Sequence, residues 1–234
     1  MKLVDKNYLS LQFWNRIYQK NAMEYQSFFE DIMQKAFTDF QKIRPYGNKG
    51  DGGNDGYRPS EGIYYQVYAP KDPHEKEAYA AKKLREAFSD LKNIWDEISI
   101  IKVFNFVFND KGAGVSIEIE KAIAELKKEN PTIEFNKFLP KDLEEIFFGL
   151  NESQILSLGF DIDSRNAVRI TYELLEKAEN DLDRENVTFV LKTLENVKSI
   201  IVTLQDDVLT LDYEILECRT LQKLERTKEA KEKY

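Results

Sequence analysis

No glycine occurs after Gly159 and no proline after Pro140; all ten glycines and six prolines of the 234-residue chain lie before those points. Residues that break helices and set tight turns are thus confined to the front, and the rest of the chain reads as long helix. Its apolar pattern agrees. Leu194, Val197, Ile201, Leu204, Val208, Leu211, Ile215 and Cys218 follow three-and-four spacing without a slip, as in a coiled-coil seam. Unless Gln205-Asp206-Asp207 interrupts it, one helix is expected over 184–228, with a preceding helix over 165–179 folded back on it. So short a hairpin covers only about half of the stripe. The segment between Leu194 and Leu224 is therefore expected to join a second copy of the chain or a partner subunit. Cys218, on the seam, reads as a packing residue.

The front alternates helix and strand. Phe28, Phe29, Ile32, Met33, Ala36 and Phe37 recur at helical spacing and predict an amphipathic helix over 22–39. A short strand over 40–46 leads into a glycine-rich turn, and 63–68, rich in β-branched and aromatic residues, reads as strand. Further on, 75–97 reads as helix, 98–108 as a central strand apolar on both faces, 115–130 as helix, 132–135 as strand and 141–149 as helix. The expected architecture is α/β: a mixed sheet covered by helices over 1–160, then an all-helical, coiled-coil-like module over 161–234.

Composition narrows the class. Hydrophobic content of 42% with 32% charged residues suits a soluble globular chain. No apolar run approaches the roughly 20 residues of a membrane span. The first ten residues alternate charge and hydrophobe and lack a signal-peptide core, so the cytoplasm is the expected compartment. One cysteine rules out an intramolecular disulfide and a cysteine-based metal site. A net charge of −8 argues against gripping nucleic acid unaided. From Asp161 onward there are 17 acidic and 12 basic residues, against 25 and 22 before it, so a local basic channel fits the front better.

Chemistry concentrates in Gly50-Asp51-Gly52-Gly53-Asn54-Asp55-Gly56-Tyr57 and the later run Tyr64-Tyr65-Gln66-Val67-Tyr68-Ala69-Pro70-Lys71. Adjacent strands bring facing side chains within about 5 Å, which would set the Asp55 carboxylate beside the Gln66 amide. A hard cation such as Mg²⁺ takes oxygen ligands of this kind, completed by water and substrate phosphates. An EF-hand reading fails, because Gly53 and Gly62 fall where oxygen ligands are required. A phosphate-binding P-loop fails for want of a following Gly-Lys-Ser/Thr. A glycine-rich hairpin turn with incidental aspartates is the simpler alternative.

Phe29-Glu30 in the first helix, the Gly50 to Gly56 turn and Tyr65-Gln66-Val67 in the strand together resemble the PD-(D/E)XK, restriction-endonuclease-like nucleases, in their Mrr-like branch of bacterial defence. More loosely, Asn54-Asp55-Gly56-Tyr57 resembles nuclease-type subunits of ATPase-linked three-component anti-phage systems. The resemblance covers about residues 22–110. It implies a restriction-endonuclease-like mixed sheet and a Mg²⁺- or Mn²⁺-dependent endonuclease effector that hydrolyses phosphodiester bonds, in DNA rather than RNA, alongside an ATPase partner. It further implies that Asp55 is the essential metal ligand, Gln66 the polar residue of the second strand, and Glu30 a ligand through water. Asp51 closes the turn.

The family's lysine would stand at Tyr68. Lys71 could replace it if Pro70 bends the strand, and Lys82 or Lys83 on the following helix are the other sources of charge. Failing these, the implied alternative is a degenerate nuclease-fold adaptor. His74 reads as a first-turn helix residue, and Trp14 and Trp95 as core.

Overall fold

A computed structural model describes residues 3–43, 52–73, 77–163, 166–184 and 186–232. Asp51 and His74 lie outside them. The described residues form nine helices and a five-stranded mixed sheet. They divide into two compact units, 19–158 and 1–18 together with 159–234. The division falls between Leu158 and Gly159, and the chain up to Tyr18 groups with the tail rather than with the sheet.

In the sheet unit, α2 (Ala22–Ala36) precedes β1 (Gln41–Lys42), β2 (Gly56–Arg58) and β3 (Ile63–Tyr68). Then come α3 (Glu77–Trp95), β4 (Val103–Phe108), α4 (Ile117–Glu129), β5 (Glu134–Phe138), α5 (Pro140–Phe148) and α6 (Glu152–Ser157). The strands lie in sequence order: β1, β2 and β3 are antiparallel, while β3, β4 and β5 are parallel. Helix α3 makes the β3–β4 crossover and α4 the β4–β5 crossover. The last expected strand, placed at 132–135, is found at Glu134–Phe138, and the central strand starts at Val103 rather than at residue 98.

Side chains alternate across the sheet, and so assign each helix to a face. On one face Tyr65 meets Phe29 of α2, and Phe138 meets both. On the other, Tyr64 packs on Trp95, Tyr68 on Tyr79, and Phe104 and Phe135 on Phe88, all from α3. Ile119, Ala122, Ile123 and Leu126 of α4 join that second core. Because β4 is covered on both sides, its sequence is apolar almost throughout.

The second unit is helical: α1 (Leu3–Gln19, to Tyr18 in this unit), α7 (Ala167–Asp183), α8 (Val187–Leu204) and α9 (Asp207–Glu232). Tyr8, Leu174, Leu182, Val190, Leu194, Val197, Ile201, Leu209 and Tyr213 share its core. Gln12 fixes α1 by donating to the Asp161 carbonyl (2.7 Å) and accepting from the Asp161 N–H (2.9 Å). The single helix expected over 184–228 is broken. Gln205 adopts a left-handed conformation (φ 53°), and the Asp206 carboxylate accepts the Leu209 N–H (2.9 Å), starting α9 afresh.

The break also shifts the seam. Leu194, Val197 and Ile201 are buried within the unit, but Val208, Leu211, Ile215 and Cys218 are exposed. In α9 the buried stripe is Leu209, Tyr213, Leu216 and Thr220 instead. Cys218 is therefore not the packing residue expected, and the first half of the seam is already used inside the chain.

Candidate functional site

Asp55 sits one residue before β2, at the point where the glycine turn enters the sheet. Its N–H donates to the Tyr65 carbonyl (2.9 Å), and its own carbonyl accepts the Ile43 N–H (3.1 Å). Pairing of Gly56 with Tyr65 brings Asp55 opposite Gln66. One carboxylate oxygen, Oδ2, accepts both the Gln66 Nε2 (2.5 Å) and the Val67 N–H (2.7 Å). Two donors thus converge on one oxygen of a residue that is only 4% exposed. The expected Asp–Gln juxtaposition is thus present.

The turn that delivers Asp55 is shaped by α3. Gly53 has φ +73°, and a Cβ there would lie 2.1 Å from the Ala87 carbonyl oxygen. Only glycine lets the turn run this close under the helix. Beside it, Asn54 is fully buried, and neither its amide nitrogen nor its amide oxygen has a hydrogen-bond partner among the described residues. A buried, unsatisfied amide is rare enough to mark a place where another polar group belongs.

Gln66 opens onto a groove of about 510 Å³ between the sheet and α3. Tyr68 flanks it on the strand, and Lys83, Glu86, Ser89 and Asp90 face it from the helix. Of Lys82 and Lys83, Lys83 is the one that lines the groove, and Lys82 pairs with Glu86 (3.5 Å). The ammonium of Lys83 lies 5.8 Å from the centre of the Tyr79 ring, a cation–π distance.

The other sequence-predicted residues lie apart from this pair. Glu30 is on α2, which packs on the opposite face of the sheet; it accepts from Gln26 (2.9 Å) and lies 4.0 Å from the Lys42 ammonium. Lys71 is exposed beyond the strand end, its carbonyl accepting the Lys111 ammonium (2.9 Å). Tyr68, at the family's lysine position, is stacked on Phe106 and Phe108. Glu86 and Asp90 escaped the sequence reading. With α3 running over β3, their i, i+4 spacing from Lys82 and Glu86 was the available signal.

For a divalent ion, the donor set is small. Asp55 offers one carboxylate, and Gln66 can offer its amide oxygen, since its nitrogen is turned to Asp55. That fits Mg²⁺, which is commonly held by one or two carboxylates while water and phosphate supply the remaining ligands. Among the described residues, no group of three or more His, Cys, Asp or Glu is arranged to hold a metal. No helix among them is long and apolar enough to cross a membrane. Comparison with protein-family models, curated proteins and solved structures returned no match of any of the three kinds.

Proposed function

We propose that the sheet unit is a divalent-metal-dependent nuclease domain of the restriction-endonuclease-like kind, acting on phosphodiester bonds in DNA as the effector subunit of a bacterial anti-phage system. The observation that carries this reading is the contact between Asp55, at the start of β2, and Gln66 of β3, which with Lys83 lines the groove. A mixed sheet flanked by helices, with these two residues on neighbouring strands, is what the resemblance implies. In this reading Asp55 and Gln66 hold Mg²⁺ or Mn²⁺. When bound, the ion polarises the phosphate and acidifies the attacking water. The Val67 N–H and Gln66 amide orient the Asp55 carboxylate, and Lys83 supplies positive charge against the phosphate from the helix. Glu86 or Asp90 accepts the proton of the attacking water at its carboxylate, within the same groove.

Purified protein should cleave DNA in Mg²⁺ or Mn²⁺ and not in EDTA, and Asp55→Asn should abolish cleavage while leaving the fold intact. Equal cleavage by the variant would refute the assignment. One observation favours a second reading, an adaptor that has kept the nuclease architecture for binding an ATPase partner. Tyr68, where the family's lysine would stand, is built into an aromatic stack. Under that reading neither wild type nor Asp55→Asn cleaves, and Asp55→Asn retains biological function.

A further inference from the structure

We propose that the helical unit pairs with a second copy of itself through α9, with the two helices antiparallel and crossing at Ile215. This inference is independent of the nuclease reading. Val208, Leu211 and Ile215 are 61%, 55% and 49% exposed, and Cys218 is exposed in line with them. Their three-four-three spacing puts them on one stripe, well away from the Leu209, Tyr213, Leu216 and Thr220 face that packs into the unit's own core. At about 1.5 Å per residue the stripe is about 15 Å long, the length of two heptad layers and a suitable seam for one further helix.

The charge along α9 selects the occupant and its direction. From Asp207 to Glu217 the helix carries Asp207, Asp212, Glu214 and Glu217 and no base. From Cys218 to Glu225 it carries Arg219 and Lys223 against Glu225. A parallel pair would set acidic half on acidic half. An antiparallel pair centred on Ile215 sets residues 207–217 of each copy against 213–223 of the other, which brings Asp207 opposite Lys223 and Asp212 beside Arg219, and it is closed by a single two-fold axis. With that axis at Ile215, the two Ile215 side chains meet, Leu211 of each copy faces Cys218 of the other, and Asp212 of each approaches Arg219 of the other. Arg219 already pairs with Glu179 and Asp183 of α7. It is 41% exposed there, so those pairs are weak enough to be shared.

Sedimentation equilibrium of the full chain over a range of concentrations tests this. The wild type should be a reversible dimer. Ile215→Glu should raise the dissociation constant about 100-fold or more, because two carboxylates would meet at the axis. The substituted side chain is exposed in the single chain, so circular dichroism should not move, and neither should the melting temperature at concentrations low enough for both proteins to be monomeric. Direction is read by mild oxidation. Antiparallel pairing offsets the two Cys218 residues by about 9 Å along the helix axes, too far for a disulfide. Wild type should therefore stay uncrosslinked, while Ile215→Cys in a Cys218→Ser background should crosslink. A wild type that is monomeric at every concentration, or one that crosslinks through Cys218, would overturn the proposal.

Discussion

Replacing Gly53 by alanine tests whether α3 dictates the turn that presents Asp55. The substitution carries two penalties. At φ +73° an L side chain is strained by about 1–2 kcal/mol. Its Cβ would also lie 2.1 Å from the Ala87 carbonyl oxygen and 3.0 Å from the Leu91 nitrogen, both backbone atoms of a helix that cannot yield alone. Overpacking of this sort costs about 1–3 kcal/mol, for a total of about 2–5 kcal/mol. Gly114 is the control: its φ is +91°, but nothing among the described residues lies within 4 Å of an added Cβ, so Gly114→Ala should cost only the first penalty.

In a unit of this size, each kcal/mol lowers the melting temperature by about 2–4 °C. Gly53→Ala should therefore melt about 10 °C lower and Gly114→Ala about 4 °C lower. The assay is tryptophan fluorescence in a Trp14→Phe background, so that Trp95, packed on Tyr57 and Tyr64, reports the sheet unit alone. Equal melting temperatures for the two variants would refute the claim that the helix backbone holds the turn.

Burial pushes the Tyr65 phenol up to about 12, with Arg58 acting in the opposite direction. In the unfolded chain it ionises near pH 10, so the folded unit holds the proton more tightly. Stability from this group is full below about pH 10 and is lost as pH rises towards 12; denaturant melts at several alkaline pH values should show that fall, and Tyr65→Phe should reduce it. For cleavage, Lys83→Ala should lower the rate about 100-fold while Lys71→Ala, at an exposed lysine beyond the strand end, leaves it within about two-fold. Similar rates for the two variants would remove Lys83 from the site.

Much of the sheet unit was legible because its signals are local. The strand at 63–68 was read to its limits from β-branched and aromatic content, and helices α3, α4 and α5 within two residues from apolar spacing. The Asp55–Gln66 contact followed from a glycine turn joining two strands. Other features depend on tertiary packing, which a linear pattern does not carry. Glu30 has the right residue type at the right place in the chain, yet Phe29, its neighbour, packs against the Tyr65 face and takes α2 to the side away from Gln66. Gly53 reads as turn chemistry, while its closest constraint is Ala87, more than thirty residues away. In the tail, unbroken spacing concealed a break that Asp206 makes by capping α9 with its own side chain. The same break turned half of a presumed single seam outward.

The measurement that bears most directly on the site is Mn²⁺ binding, followed by electron paramagnetic resonance on the full chain. Wild type should take up one ion in the micromolar-to-millimolar range, with binding lost in Asp55→Asn, weakened in Gln66→Ala and kept in Glu30→Gln, because the first two residues are in contact while Glu30 is on the helix packed against the other face of the sheet. Melting curves of the same samples confirm that each variant is folded. A chain that binds no Mn²⁺, or that binds it equally well after Asp55→Asn, would contradict the assignment of Asp55 and Gln66 as a metal site.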